Sequence, residues 1–368
     1  MSTDVLRDGK KQATLCAFCP KMCRFSCSVA EAEGREAVTP WGKMSLLYLA
    51  QNRQASLDEP GALKALEACT GCGACVESCA HGNPVAETLF VARGAAGSPR
   101  AQAFREAFER TGDVKGRSFD DVLARLPRSA SAKVAYFPGC TRLKQGAEVI
   151  ERDLEALRVA TGADVAVCDL PAGVRCCGYP LYADGQVDVL EKSLPKLMDA
   201  LSEHRVVVTP DPGCAYMMSV VSSTLAPKRK QERERPRVLP LVEVLAERAE
   251  RFAGRAEGLS VRYHDPCYLG RRGRTFEAPR RLLAAATGKR PLEFAMSHDA
   301  ADCSGSGGLY PLSSPDGAKR TAERRVHEDG NAHVPVDAVV SACPSACRGL
   351  AKSGARVLDI VDVVLGRV

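Results

Sequence analysis

The sequence predicts an α/β protein, in which a helical amino-terminal domain precedes two copies of one α/β module. Two observations support this. The 17 cysteines of the 368-residue chain fall into three blocks, eight before position 80, four between 140 and 214 and four between 267 and 347, with Cys168 left over. The last two blocks repeat one pattern, in which a short β-branched run leads to a cysteine loop and a helix-like stretch, as in an open parallel sheet. The expected limits are 1–98 for the helical domain, 99–131 for a linker, 132–253 for the first module and 254–368 for the second.

The strongest local signal is the segment LEACTGCGACVESC, whose cysteines are separated by two, two and three residues. Thiolates at this spacing wrap one face of a 4Fe–4S cube, and Gly71 and Gly73 let backbone amides approach its sulfides. A zinc site is disfavoured, because zinc motifs usually come as two separated pairs. The segment therefore predicts cluster ligands at Cys69, Cys72, Cys75 and Cys79.

A second run, CAFCPKMCRFSC, has one residue more than usual between its second and third cysteines. In two-cluster ferredoxins the fourth cysteine of each run ligates the other cluster. We therefore expect a ferredoxin-like domain with two 4Fe–4S clusters, made more helical than a small ferredoxin by the stretches MSLLYLAQNRQ and PGALKALEAC between the runs. The ligands would be the first four-thiol group, Cys16, Cys19, Cys23 and Cys79, and the second four-thiol group, Cys69, Cys72, Cys75 and Cys27.

An internal repeat defines the two α/β modules. VAYFPGC, which ends at Cys140, resembles VRYHDPC, which ends at Cys267, and CCGYPLY at Cys176 resembles CSGSGGLY at Cys303. The offset is 127 residues for both pairs of cysteines. Later segments match as well, VVVTPDPGC with AVVSACPSAC and VLPLVEVL with VLDIVDVV. We expect the loops after the strand ends to carry the cysteines.

Each copy resembles the CCG module of heterodisulfide reductase catalytic subunits, with a lone cysteine, an adjacent-cysteine position before a glycine, and a closing cysteine motif. Two cubane motifs followed by two such modules are similar to the iron–sulfur subunits of glycolate oxidase, lactate utilisation and anaerobic glycerol-3-phosphate dehydrogenase complexes. The resemblance covers nearly the whole chain. The thiols that carry it are Cys140, Cys176, Cys177 and Cys214 in the first copy and Cys267, Cys303, Cys343 and Cys347 in the second.

The family pattern implies five thiols per module, and neither copy is complete. Asp211 stands where the closing pair of the first copy would begin, Ser304 replaces one adjacent cysteine of the degenerate second copy, and its closing cysteines are one residue too far apart. Each copy keeps four thiols, enough for a four-iron cluster or a zinc ion. We predict a further iron–sulfur cluster, or zinc, in one or both modules, held by the four thiols of each copy and, in the first, by Asp211 as a harder oxygen ligand.

Three further features have ordinary explanations. Cys168, alone after a valine-rich run, is expected in the core. His264 either tunes a cluster or serves as a structural partner of its loop. The glycine loop SGSGG lacks the residues and the context of a phosphate loop, so backbone room beside a metal site explains it better.

Composition excludes several classes of protein. A net charge of +6 is small for this length and aromatic residues make up only 5%, so no nucleic-acid surface is expected. The chain has no run of eighteen apolar residues, and its start, MSTDVLRDGKK, lacks the apolar core of a secretory signal. We expect a cytoplasmic protein without a transmembrane segment, peripheral to the inner membrane only through a partner. Its cysteines should then be reduced, which favours metal ligation or redox chemistry over disulfides.

The sequence contains no nicotinamide or flavin fingerprint, so electrons must come from a partner. We predict an iron–sulfur electron-transfer subunit that relays electrons between a flavoprotein dehydrogenase subunit and a quinone-linked or other acceptor. The alternative is a thiol–disulfide reductase, in which Cys176 and Cys177 of the first module are catalytic. The incomplete modules favour the relay.

Overall fold

Helices form the amino-terminal region. In the computed structural model Thr39 caps the third helix by accepting a hydrogen bond from the Gly42 amide at 3.0 Å, and Pro40 and Pro60 begin two helices, where a missing N–H costs nothing. The described residues are 9–129, 132, 134–171, 173–225, 235–327 and 334–368. The helices are α1 (Lys10–Ala17), α2 (Ser28–Glu33), α3 (Pro40–Gln51), α4 (Pro60–Glu67), α5 (Ala74–Glu77), α6 (Val85–Ala95), α7 (Ala101–Thr111) and α8 (Asp120–Ala124).

The first module is built on a parallel sheet with strand order β1-β3-β2-β4-β5. The short β-branched runs of the sequence, such as Val206–Thr209, form its strands, and their side chains are largely buried. The strands are β1 (Arg128–Ser129), β2 (Val134–Tyr136), β3 (Ala166–Cys168), β4 (Val206–Thr209) and β5 (Arg237–Pro240). The helices are α9 (Gly139–Gln145), α10 (Ala147–Thr161), α11 (Tyr179–Ala183), α12 (Val187–Ala200), α13 (Pro212–Tyr216), α14 (Ser222–Leu225) and α15 (Leu241–Ala246), with a π-helical turn at Met217–Val221.

The second module repeats this plan in a parallel sheet with strand order β7-β6-β8-β9. The strands that match in sequence, β2 to β5 and β6 to β9, occupy matching places in the two sheets, so the predicted α/β class and the two repeated modules are confirmed. The strands are β6 (Val261–His264), β7 (Leu292–Glu293), β8 (Ala338–Ser341) and β9 (Val357–Asp359). The helices are α16 (Glu277–Thr287), α17 (Tyr310–Ser313), α18 (Pro315–Val326), α19 (Pro344–Leu350) and α20 (Ile360–Val364).

The two modules share one apolar core. Helices α10 and α15 of the first module pack against α16 and α20 of the second, and their fully buried side chains include Leu154, Leu245, Leu283 and Val364. Burial of several such side chains, each worth about 1.5–3 kcal/mol, fixes one module against the other. The loops at the carboxyl ends of both sheets are thereby held at fixed relative positions.

The segment predicted as a linker contains helix α7, whose Phe104 and Phe108 are buried in the core of the first module. Arg100 of this segment also donates a hydrogen bond from Nε to Asp184 at 3.3 Å. This segment therefore packs on the first module, while residues 130 and 131 lie outside the described part of the chain. Among the described residues, no helix has both the length and the apolar character needed to cross a membrane.

Candidate metal centres and the cavity between the modules

The first four-thiol group lies where α1, the 3-10 turn Met22–Ser26 and the end of α5 meet. Asn83 donates from its side-chain amide to Cys16 Sγ at 2.9 Å and from its backbone amide to Cys79 Sγ at 3.5 Å. Burial raises the pKa of the Cys16 thiol to about 12, although the hydrogen bond from Asn83 lowers it. The neighbouring thiols of Cys23, Cys79 and Cys19 raise this pKa further. The structure thus brings together cysteines from both runs, in the combination that the ferredoxin pattern predicts.

The second four-thiol group lines a small cavity of about 20 Å³. Cys27 comes to it from the first run, and the other three members come from the second. Burial raises the pKa of the Cys75 thiol well above its usual value, and the thiols of Cys72, Cys69 and Cys27 raise it further. Cys303 of the second module lines the same cavity.

Both groups offer a donor set that suits iron–sulfur clusters. All 17 cysteines are free thiols, and four thiols per group is the number that a cubane requires. Gly71 has φ +73, and a Cβ there would come within 2.8 Å of Phe90. Only glycine lets the backbone turn this tightly beside the thiols.

The four thiols of the first module converge at the carboxyl end of its sheet. Cys140 follows β2, Cys176 and Cys177 precede α11, and Cys214 lies in α13. Cys177 Sγ is 3.1 Å from Cys214 Sγ, and a thiol hydrogen bond between Cys140 and Cys176 raises the pKa of Cys140 well above its usual value. Gly178, at φ +79, packs on Leu190 and gives the loop its turn. The adjacent cysteines thus reach one site as free thiols, without a disulfide between them.

Asp211 links the first module to the second. Its carboxylate caps α13 by accepting from the Gly213 amide at 2.9 Å, and it also accepts from Ser345 at 3.2 Å and Thr141 at 3.5 Å. Its negative charge contributes to the raised pKa values of the Cys214 and Cys343 thiols. The carboxylate stands beside both sets of module thiols, and its role as a ligand stays a prediction.

The thiols of the second module separate. Cys303 donates to Thr70 Oγ1 at 3.3 Å, and its hydrogen bond with Cys72 raises the pKa of Cys303 and lowers that of Cys72. The Cys347 thiol instead points to the carbonyl oxygens of Ser341 and Leu358, at 3.5 and 3.6 Å. Two of the four predicted ligands of this module, Cys303 and Cys347, thus have hydrogen-bond partners outside its set of thiols, and the ligand set stays a prediction.

The glycine loop of the second module docks on the second four-thiol group. A Cβ at Gly307 would overlap the carbonyl of Thr70, and one at Gly308 would overlap that of Cys69. Arg93, with 1% of its surface exposed, donates to the carbonyls of Cys69 and Gly308 at 2.8 and 2.7 Å. The missing side chains of these glycines therefore leave space for the backbone of the amino-terminal domain, which packs against this loop.

The remaining sequence predictions concern single residues. Cys168 is buried in the core. His264 accepts a hydrogen bond from Arg325 Nε at 3.0 Å, and burial, then the neighbouring charges of Arg325 and Arg271, lower its pKa well below the usual value. His264 is thus a neutral structural partner of Arg325.

One carboxylate and histidine cluster outside the cysteine sites has metal-like spacing. Ligand atoms of Asp265, Glu293 and His298 lie within 4.8 Å of one another. The Arg280 guanidinium, however, donates to both carboxylates, at 2.8 Å to Asp265 and 2.6 Å to Glu293. This buried guanidinium supplies the positive charge that a metal ion would supply.

The loops of both modules face one cavity of about 460 Å³, which we call the central cavity. Thiols from the two modules line it, together with several cationic side chains that the sequence motifs do not identify. The lining thiols are Cys140, Cys177, Cys214, Cys267, Cys303 and Cys343, and the cations are Lys115, Arg117, Lys144, Arg348 and Lys352.

Comparison with known proteins agrees with the repeat. The model of the cysteine-rich CCG domain matches residues 134–219 and 261–349. One subunit of the fumarate reductase (CoM/CoB) of Methanothermobacter marburgensis is 27% identical over 338 residues, which cover 87% of this chain and 65% of that protein. One subunit of the dihydromethanophenazine:CoB–CoM heterodisulfide reductase of Methanosarcina barkeri is 27% identical over 321 residues, covering 80% of this chain and 76% of that protein.

Lactate utilization protein A of Oceanobacillus iheyensis is 28% identical over 196 residues, covering 50% of this chain and 75% of that protein. This chain thus spans less than two thirds of the fumarate reductase subunit and larger shares of the other two relatives. The matched ranges contain strands β2, β3 and β4 of the first sheet, β6, β7 and β8 of the second, and all eight predicted metal-ligating cysteines of the two modules. The chain therefore contains the cysteine-rich CCG domain in two copies.

Proposed function

We propose that this chain is an iron–sulfur electron-transfer subunit of an oxidoreductase complex. The observation that carries the proposal is the order of the thiol groups: the exposed side chains of Phe18, Met22 and Phe25 flank the first, and Cys303 joins the second to the central cavity. 4Fe–4S clusters bound at the two groups would supply one-electron transfer. The chain would then connect a partner protein outside with the cavity inside.

The surface beside the first four-thiol group fits contact with a partner. Phe18 is 76% exposed, Phe25 is 80% exposed, and Met22 lies exposed between them. Apolar side chains this exposed are typical of interaction sites. A flavoprotein dehydrogenase subunit is the proposed donor and a quinone-linked or other carrier the proposed acceptor, since the relatives named above include subunits of a fumarate reductase and a heterodisulfide reductase.

A thiol–disulfide reductase is the second candidate, and the size of the central cavity favours it. A volume of about 460 Å³ is in the range of small-molecule sites. Cys177 lines this cavity, whereas Cys176 lies behind it in contact with Cys140. In that case the first-module thiols would hold the metal that acts on the disulfide.

Metal analysis and spectroscopy separate these functions. Anaerobically purified protein would be assayed for iron, sulfide and zinc and examined by electron paramagnetic resonance. About eight iron atoms with only cubane signals would support the relay. Additional iron, with a signal that changes on addition of a disulfide and disappears in Cys177→Ser, would support the reductase. Stoichiometric zinc in place of iron at the four-thiol groups would contradict both.

A further inference from the structure

Besides Arg93, two further buried cations flank the second four-thiol group. Lys43, with 1% of its surface exposed, donates to the carbonyl of Ala68 at 2.6 Å. Arg271, with 4% exposed, donates from Nε to the carbonyl of Cys72 at 2.8 Å. The two cations therefore hold the backbone at both ends of the segment that carries Cys69 and Cys72.

Arg271 reaches this site from the second module. Its Nη1 donates to the carbonyls of Asp299 and Ala301 at 3.1 and 2.5 Å, which fixes the guanidinium. Its Nη2 is buried and has no hydrogen-bond partner among the described residues. A buried polar group normally has a partner, so this charged donor is exceptional, and it lies on the guanidinium that holds the carbonyl of Cys72.

The two cations lie close to the thiols of the second group. Lys43 lines the same small cavity as the four thiols, and the carbonyl that Arg271 holds is that of Cys72 itself. At the first group, the side chain that bonds to the Cys16 thiol is the uncharged amide of Asn83.

We propose that Lys43 and Arg271 give the second four-thiol site a higher reduction potential than the first, so that electrons run from the first group through the second to the central cavity. This inference rests on the proposed function. Adding an electron to a bound cluster adds one negative charge, and a buried positive charge nearby stabilises that state strongly because water does not screen it. One electron lost by the flavoprotein donor is gained at the first site and passes to the second, so the donor is oxidised and the inner site is reduced.

An anaerobic redox titration followed by electron paramagnetic resonance tests the inference on the full iron-loaded chain. We expect two midpoint potentials, with the higher one lowered in both Arg271→Gln and Lys43→Met. At a fixed potential near that midpoint, the ratio of reduced to oxidised cluster should fall at least tenfold in each variant, which corresponds to 59 mV for one electron. Cys19→Ser, in the first group, should change the paramagnetic signal of the cluster with the lower midpoint potential.

Arg274→Gln is the matched control, because Arg274 lies on the same loop but is 60% exposed and paired with Glu77. Both midpoint potentials of this variant should match those of the wild type, since water screens an exposed charge. Arg271→Lys keeps the charge and should keep the potential even if Arg271→Gln does not retain iron. Unchanged potentials in Lys43→Met and Arg271→Gln, equal shifts in Arg274→Gln, or a shift confined to the lower potential would overturn the inference. Failure of the wild-type protein to bind iron at the second group would instead overturn the proposed function.

Discussion

The thiol of Cys303 in the second module donates a hydrogen bond to the hydroxyl of Thr70 in the amino-terminal domain, at 3.3 Å. Thr70 lies between Cys69 and Cys72, so this bond joins a module loop to the second four-thiol group. Ser28 adds to the joint by accepting from the backbone amide of Cys303 at 3.0 Å. The cysteine loop of the degenerate module therefore also serves to hold the amino-terminal domain.

Gly308→Ala should destabilise this joint. Gly308 has φ +59, and a Cβ there would overlap the carbonyl of Cys69. We expect the free energy of unfolding to fall by about 1–2 kcal/mol from the left-handed backbone and by a further ~1–3 kcal/mol from the overlap, measured by urea unfolding. Gly354→Ala is the control, since Gly354 has φ +85 but open space around it. Equal losses in both variants would show that the close approach is unimportant.

Arg93→Met should also weaken the joint, because Arg93 serves carbonyl groups from three parts of the chain. It donates to Leu66, Ala183 and Gly308 at 2.7 to 3.1 Å. Each buried carbonyl left without a donor costs about 1–3 kcal/mol, so we expect a loss of about 3 kcal/mol or more in thermal or urea unfolding. Arg105→Met removes a solvent-exposed pair with Asp188 and should cost less than about 1 kcal/mol. A similar small loss in Arg93→Met would contradict the prediction.

The exchange of the fourth cysteines between the two runs can be tested with two variants. Cys27→Ser should remove the signal of the second cluster and about half of the iron of the four-thiol groups, because Cys27 lines the second site. Cys79→Ser should remove the signal of the first cluster, since Asn83 bonds to both Cys79 and Cys16 and so places Cys79 at the first site. Iron assay with electron paramagnetic resonance gives the result. Loss of the opposite signal in each variant would mean that each run holds its own cluster.

Cys347 and Cys343 should differ in their effect on metal content. The Cys347 thiol is directed to the carbonyls of Ser341 and Leu358, whereas Cys343 lines the central cavity. We expect Cys347→Ala to leave the iron and zinc content unchanged and Cys343→Ala to lower it if the second module holds a metal. Elemental analysis of the two variants beside the wild type measures this. A loss of metal in Cys347→Ala would restore the ligand set predicted from sequence.

His264 should make the fold sensitive to acid. Burial and the neighbouring Arg325 lower its pKa well below the usual value in the folded chain, whereas the unfolded chain takes up this proton near pH 6.5. The free energy of unfolding should therefore fall as the pH drops below about 6.5, by up to about 1.4 kcal/mol per pH unit. His264→Gln should reduce that slope in urea unfolding at several pH values. The same slope in the variant and the wild type would rule out this role.

Some features of the chain were predictable because they depend on residues close together in sequence. The spacing of the cysteine runs follows from the shape of the cluster that they surround, and the repeat at an offset of 127 residues implies two copies of one fold. The β-branched runs before Cys140 and Cys267 form parallel strands β2 and β6, as expected. His264 was left between two roles, and the buried bond from Arg325 decides for the structural one.

Other features depend on contacts between residues far apart, which no local pattern encodes. Cys303 and Thr70 are 233 positions apart and Arg271 and Cys72 are 199 apart, and both pairs meet only because the second module packs on the amino-terminal domain. The direction of the Cys347 thiol likewise depends on the neighbouring carbonyl of Leu358 in β9. The sequence by itself thus determined which thiols belong to which motif and the class of fold. Only the tertiary structure decided which thiols, cations and carbonyls share a site, because burial and charge act through space and not along the chain.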